Sequence, residues 1–242
     1  MIRSFIETKV KNFIEFCSAP FLIKSYLKNT SLRRRKLIVG GHWSNHPGWL
    51  ILNEGHQDIT KKFKLPSGSF EVIFLEHVFE HIGFVEAIFF LKEAKRILRK
   101  NGTIRVVAPF LEKIISINFK DSNKKNKIYI KNTLINLTYP EIDKHLKSIG
   151  LKGIEEDPKT FLFNGLFREN GHQFIWSVKL LKSVMKALGF KEVIIFQPGL
   201  GHNKEYSIER RQRGIYTGTD WQKDIKVKQV FDPESLVVEG IK

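Results

Sequence analysis

The sequence predicts an α/β fold, with a doubly wound, mostly parallel sheet carrying helices on both faces, and three observations between Lys36 and Phe110 predict it. Near-continuous apolar runs in KLIVGG, WLILNEG, SFEVIFLEH and GTIRVVAPF read as strands buried on both sides, the mark of a parallel sheet. A long amphipathic helix stands between the third and fourth runs. A strand, helix and strand at this spacing close as a right-handed crossover, which leaves the flanking strands parallel. The first run ends in Gly40-Gly41 and the second in Asn53-Glu54, so small and acidic residues collect at strand carboxyl ends, where open α/β sheets bind their ligands.

The first 35 residues read as a helical extension. Ile2, Phe5, Ile6, Phe13, Ile14 and Cys17 fall at helical spacing with Arg3, Lys9 and Lys11 among them, which predicts an amphipathic helix ended by Pro20. FLIKSYLKN and the cluster Arg33, Arg34, Arg35, Lys36 follow. This pattern suits a helix packed on the sheet, and equally a peripheral contact of residues 1–36 with an anionic membrane. No apolar run approaches the roughly 18 residues that span a bilayer, and Lys24 interrupts the best candidate for a signal-peptide core. The expected location is cytoplasmic, with the inner membrane face as the place for any peripheral contact.

Residues 36–242 read as one domain. The four strands above are joined by an isolated DIT and by a helix from about Phe84 to Lys100, striped by Phe84, Ile88, Leu91, Ala94 and Leu98. Lys95, Arg96, Arg99 and Lys100 suit its carboxyl end, and Asn101-Gly102 supplies a left-handed cap before a strand from Thr103 to Ala108. Residues 111–173 lose clear periodicity. They hold a lysine-rich tract, one helix around Ile142 to Ile149 and the glycines Gly150, Gly153 and Gly165, and are expected to form a substrate lid over the sheet's binding edge. A helix from Ser177 to Leu188, striped by Leu181, Val184 and Met185, stops at Gly189, and the strand KEVIIFQPG follows. After a polar tail with Arg210, Arg211 and Arg213, SLVVEGIK is expected as an added antiparallel edge strand.

At 242 residues, 42% hydrophobic and 27% charged, the chain has the make-up of a globular domain with elaborations. Its one cysteine, Cys17, excludes an intrachain disulfide and favours a reducing compartment. The net charge of +16 favours anionic partners or reflects a solvated lysine-rich surface. With no glycine-aromatic RNA-binding signature and no cysteine-histidine finger, nucleic acid is not expected as a partner. Oligomeric state has no signature in the chain.

Gly40 and Gly41 leave the backbone open to a cofactor because glycine lacks a Cβ, although such a pair also makes an ordinary turn. Asn53 and Glu54 are placed to accept from a ribose diol, and Asp58 from an adenine amino group. His77, Glu80 and His81 form the densest polar constellation, suited to capping the helix or ordering a pocket. Two histidines four apart can share a metal. No third or fourth ligand is named by the sequence, so no metal site is assigned.

The run from KLIVGG through NHPGWLILNEGHQDITKKFKLPSGSFEVIFLEHVFEHIGFVEAIFFLKEAKRILRKNGTIRVVAP resembles the class I S-adenosylmethionine-dependent methyltransferases, particularly the type 11 branch. The shared pattern is a glycine loop, a Gly-Trp before a strand with an acidic end, an aspartate ahead of LPF-like and SFD-like segments, a His-x-x-Glu-His turn and a helix with a glycine stop. GHQFIWSVKLLKSVMKALGF and the strand after it are similar, more faintly, to that family's last helix and strand. The resemblance implies a Rossmann-like fold and S-adenosylmethionine as cofactor. Gly40 and Gly41 would match the glycine loop, Asn53 with Glu54 the ribose-binding acid, Asp58 the adenine-proximal aspartate, and Glu76 and His77 the strand end beneath the methionine moiety. His42, Trp43, Ser44, Asn45 and His46 replace the family's small loop residues, Asn53 stands where an acid is usual, and Glu71 replaces an aspartate. The expected activity is methyl transfer to oxygen or nitrogen of a small or glycan-linked acceptor, with a phosphorylated one suggested by the basic lid and the arginines near Arg210. His81 or His172 would deprotonate the acceptor; His172 could equally be a structural contact under the lid. The alternatives are a degenerate, non-catalytic binding module of the same fold and a basic peripheral protein docked on anionic lipid or nucleic acid.

Overall fold

The protein, seen in a computed structural model, is described for residues 2–40, 46–120, 123–137, 140–168, 171–209 and 233–242. One sheet holds β1 (Lys36–Val39), β2 (Trp49–Leu52), β3 (Phe70–Glu76), β4 (Leu98–Pro109), β5 (Glu192–Phe196) and β6 (Ser235–Ile241), in the order β2-β1-β3-β4-β6-β5. β1 to β4 are mutually parallel through their pairings, and β6 is antiparallel to both neighbours. The helices are α1 (Ile2–Asn29), α2 (Phe84–Ile97), α3 (Leu111–Ile115), α4 (Lys124–Leu137), α5 (Pro140–Ser148), α6 (Pro158–Arg168) and α7 (Val178–Ala187). The Rossmann-like α/β architecture is the one the strand and helix pattern predicts.

Strand alternation divides the core. Leu37, Val39, Ile73, Leu75, Ile104, Val106 and Val238 point to one face, where they pack with Ile23 of α1, Phe90 and Leu91 of α2, and Leu181 and Met185 of α7. Ile38, Phe74, Val107 and Val237 point to the other. That second face also carries the Arg105 guanidinium, which is fully buried and paired with Glu239 of β6 and with Glu209. The Leu200 carbonyl accepts a further bond from Arg105 Nη2 at 2.9 Å, so residues 200–209 lie across this face.

Four sequence expectations are revised. The first helix does not end at Pro20 but continues to Asn29. A proline costs its own backbone donor, yet Ala19 and Ile23 are buried here and Tyr26 and Leu27 pack on the core, so tertiary burial carries the helix past the break. Tyr26 donates from its hydroxyl to the carbonyls of Lys36 and Gly48, at 3.0 Å each, and accepts from Lys36 N at 2.8 Å. β1 and β2 are joined by residues 40–48 alone, fewer than the dozen or so that a parallel crossover ordinarily takes. The carboxyl half of α1 therefore covers sheet surface that a crossover helix would otherwise cover.

The second revision concerns α2, which ends at Ile97 rather than Lys100. Leu98 already pairs with Phe70, and the register shifts by a bulge between Phe70 and Val72. Asn101 adopts a left-handed conformation (φ 62) inside this bulge rather than at a helix cap. Lys242 completes it, donating from N to the Gly102 carbonyl at 3.0 Å and from Nζ to the Leu98 carbonyl at 2.7 Å.

Third, SLVVEGIK is antiparallel but internal, lying between β4 and β5. Six of its seven residues are buried, whereas β5 has exposed positions at Glu192 and Ile195, so β5 is the strand that tolerates the edge. Fourth, the segment read as irregular is helical. α3, α4 and α6 meet around Ile114, Tyr129, Leu134, Leu162 and Leu166, a small core separate from that of the sheet.

Candidate active site

The carboxyl ends of β1, β2 and β3 gather most of the candidate residues. Gly40 continues β1 by donating from N to the Leu52 carbonyl at 2.8 Å, then turns with φ 72. A Cβ there would run into Val78 Cγ2, so glycine is required by the turn that follows β3. Gly41 lies outside the described residues, as do Arg210, Arg211 and Arg213.

At the end of β2 the chain makes a compact turn, in which His56 N and Gln57 N both donate to the Asn53 carbonyl at 3.0 Å. The exposed Glu54 carboxylate accepts from Asn12 Nδ2 at 3.1 Å, and Asn53 Nδ2 donates to Glu15 Oε1 at 3.4 Å. His56 Nδ1 stands 3.7 Å from Glu15 Oε2. α1 thus touches the very side chains expected to bind a ribose. At Gly55 a Cβ would meet Asn12 Cα at 2.9 Å, so the turn and the helix are in close contact. Asp58 is occupied locally, with Oδ1 accepting from Thr60 N at 2.9 Å and Thr60 Oγ1 at 2.7 Å. Its partial burial opposes ionisation, but these bonds and Lys61 outweigh it and hold the carboxyl below its usual range.

The turn after β3 is built more tightly. Glu76 ends the strand, half-buried. His77 is held in a left-handed conformation (φ 51), a rare and strained state for a residue with a side chain, and its N donates to the Val107 carbonyl at 2.9 Å. Its ring bridges two segments, with Nδ1 2.9 Å from Glu80 Oε1 and Nε2 2.9 Å from Ser235 Oγ at the start of β6. Phe79, Glu80 and His81 form a single 3-10 turn. The Glu80 side chain is 1% exposed. Burial alone would raise its carboxyl, but the imidazoles of His77 and His81 hold it below the usual carboxylate range, so it stays ionised.

The segment from Gly171 to Trp176 is clamped against this turn. Gln173 N and Phe174 N both donate to the Glu80 carbonyl, at 2.8 and 3.2 Å, and Gln173 Nε2 donates to the His81 carbonyl at 2.9 Å. Trp176, fully buried, packs against Phe79, Phe84 and Phe174 with ring centres 4.9 to 5.3 Å away. The clamp brings His172 edge-on to His81, ring centres 4.9 Å apart. His172 Nδ1 lies 2.6 Å from the Leu166 carbonyl, and since a carbonyl only accepts, Nδ1 carries the proton and Nε2 keeps a lone pair. Burial holds this imidazole below its ordinary pKa, which favours that neutral form.

Of the residues expected at the site, the structure brings together His77, His81 and His172 around Glu80, and sets Asn53 and Glu54 side by side at the end of the outer strand β2, with β1 between it and β3. Asn12, Glu15 and Ser235 were not expected. Asn12 and Glu15 lie three apart on the polar side of α1, a pattern visible in sequence but identical to that of any solvated face. Ser235 lies 158 positions from His77, and no local signal connects them.

The residues present suit S-adenosylmethionine at this sheet edge. An exposed carboxylate ends β2, and the left-handed Gly40 ends β1 beside it. The methyltransferase-domain family matches residues 44–106, which span β2, β3, α2 and most of β4. No curated protein matches the sequence. Among solved structures, the chain is similar to a SAM-dependent methyltransferase of Archaeoglobus fulgidus, with 14% identity, 95% of this chain and 93% of that one covered, and a TM-score of 0.43. A SAM-dependent methyltransferase of Thermotoga maritima shares 14% identity, with 99% and 97% covered and a TM-score of 0.41. The YcgJ protein of Bacillus subtilis shares 12%, with 93% and 97% covered and a TM-score of 0.38.

Proposed function

We propose that this S-adenosylmethionine-dependent methyltransferase transfers its methyl group to oxygen or nitrogen of a small or glycan-linked acceptor bound between the turn after β3 and the helices α3 to α6. When bound, the cofactor supplies a methyl group on a sulfonium and leaves as a neutral thioether, so the acceptor loses one proton in exchange. Asn53 and Glu54 are assigned to the ribose, Gly40 to the passage of the cofactor past β1, and His77 to the strand end beneath the methionine moiety. His81 and His172 are assigned to the acceptor and its departing proton. The observation that carries this reading is their meeting at 4.9 Å, one from the turn after β3 and one from the segment that follows α6, at the edge where such sheets bind ligands. The lysine-rich α4 and the net charge of +16 favour a phosphorylated or sugar-nucleotide acceptor.

Calorimetric titration with S-adenosylmethionine and S-adenosylhomocysteine, followed by labelled-methyl transfer onto sugar nucleotides, sugars and amines, tests the assignment. Micromolar cofactor binding that weakens about tenfold in Glu54→Ala is expected, as for loss of one charge-assisted hydrogen bond. An absence of binding to either ligand would move the reading to a non-catalytic module, which the engagement of Glu54 by Asn12 also favours.

Among the described residues no helix is long and apolar enough to cross a membrane. For location we propose the cytoplasm, with α1 resting on the anionic inner leaflet. Val10, Phe13, Ile14 and Phe21 are exposed on α1 at helical spacing, and Lys11, Lys24 and Lys28 accompany them. Salt-sensitive flotation with phosphatidylglycerol vesicles, lost in Phe13→Ser/Phe21→Ser, is the expected result; flotation equal to that of the variant would exclude it.

A further inference from the structure

We propose that Glu80, His81 and His172 bind a divalent transition cation, zinc by preference, at the edge of the acceptor site. Each of the three offers a ligand atom, and these atoms lie within 4.8 Å of one another. A tetrahedral ion with bonds of about 2.0 to 2.2 Å would draw them closer, to roughly 3.3 Å. His81, whose side chain is 36% exposed, has the freedom to make that movement.

Three further features favour an ion over a simple polar cluster. Glu80 is closed off from solvent, and while His77 Nδ1 reaches its Oε1 at 2.9 Å, its Oε2 has no hydrogen-bond partner among the described residues. A buried carboxylate oxygen left this way is costly unless something positive completes it, and the nearby imidazoles lie on the Oε1 side, His77 Nδ1 at 2.9 Å and His81 Nε2 at 4.0 Å. Second, the Leu166 carbonyl fixes His172 with Nδ1 protonated, the arrangement in which a metal-ligating histidine donates its other ring N–H to a backbone carbonyl. Third, the Gln173 and Phe174 bonds to the Glu80 and His81 carbonyls lock the two ligand-bearing segments together before any ion arrives.

The donor set selects the metal. Two imidazoles and one carboxylate suit zinc or its first-row neighbours rather than magnesium or calcium, which prefer oxygen shells. Three protein ligands also leave a fourth position, as in catalytic rather than structural zinc sites. This inference rests on the acceptor assignment above and deepens it, because the two histidines would then act on the acceptor through the ion. An acceptor that offers an oxygen to that fourth position is the class the site would prefer.

The test uses the whole chain, stripped with chelator and titrated with zinc chloride by calorimetry, with zinc X-ray absorption to identify the donors. One equivalent bound at micromolar affinity or tighter is expected, through nitrogen and oxygen only. His81→Ala and His172→Ala should each weaken binding at least tenfold, while His145→Ala, at an exposed site on α5, should not. Zinc should also raise the melting temperature of the wild type and not that of the two variants, which separates lost ligation from lost folding. No binding by the wild type, or binding unchanged in both variants, overturns the site. A parallel titration with S-adenosylmethionine separates the two readings. Zinc binding without cofactor binding keeps the ion and sinks the methyltransferase reading, and cofactor binding without zinc does the reverse.

Discussion

Asn12 of the first helix donates to the Glu54 carboxylate across 3.1 Å, which ties the start of the chain to the acid that ends β2. The bond links α1 to cofactor affinity. A ribose approaching Glu54 must share or replace it, and an exposed hydrogen bond contributes about 0.5 to 1.5 kcal/mol. Asn12→Ala is therefore expected to tighten S-adenosylmethionine by about two- to tenfold in calorimetry. Weaker binding in the variant would mean that α1 supports the ribose site instead of competing with it.

Gly40→Ala should destabilise the fold. The left-handed conformation costs about 1 to 2 kcal/mol for a residue with a side chain, and contact with Val78 adds to it. Adding Val78→Ala should recover the contact part and leave the conformational part, as read from urea midpoints. Full recovery would show that φ at this position relaxes.

Removing the guanidinium of Arg105 strands Glu239 and Glu209 without their shared cation in a closed site. Arg105→Ala is expected to cost about 3 to 5 kcal/mol, while Arg105→Met/Glu239→Leu should cost less than the single change because it removes one of the two stranded charges. Equal losses in the two proteins would argue against the charge explanation.

Glu93 fixes the segment between β2 and β3 to α2. Its Oε2 accepts from Phe63 N at 3.0 Å, and Arg96 Nη2 donates to the same oxygen at 2.7 Å. Glu93→Ala should cost about 1 to 3 kcal/mol by leaving the Phe63 donor unpaired. The Arg96 bonds hold the Glu93 carboxyl below its usual range. Its contribution is thus present above the unfolded carboxylate value and lost as pH falls through the lower folded one. Glu93→Gln should flatten that acid limb of a stability–pH curve, and an unchanged limb would assign it to other carboxylates.

The parts of the fold that could be read from sequence are those whose causes are local. β1 to β4, α2 and α7 each show their own period, and Gly189 with φ 80 ends the last helix where its residue type says it should. The inner place of β6 is not legible locally, because it depends on β4, more than a hundred residues earlier, and alternation within seven residues does not tell an inner strand from an edge one. α4 and α6 are hidden in the sequence for another reason. Their few buried residues, such as Tyr129, Leu162 and Leu166, matter only against each other, and a lysine-rich background hides the stripe. At the site, His77, Glu80 and His81 cluster within five residues of sequence, whereas nothing near His172 in the chain points to His81. What joins it to His81 is a clamp of backbone bonds and the Trp176 stack, which no spacing encodes.

The interior place of β6 also bears on synthesis. Both of its partners precede it in the chain, so on the ribosome the twelve-residue β4 has an unpaired edge on that side, and β5 has no neighbour among the described strands, until Ser235–Ile241 emerges. During that interval the nascent protein exposes a long apolar edge able to pair with another copy, so slowing translation of the last strand should raise aggregation more than slowing any earlier one.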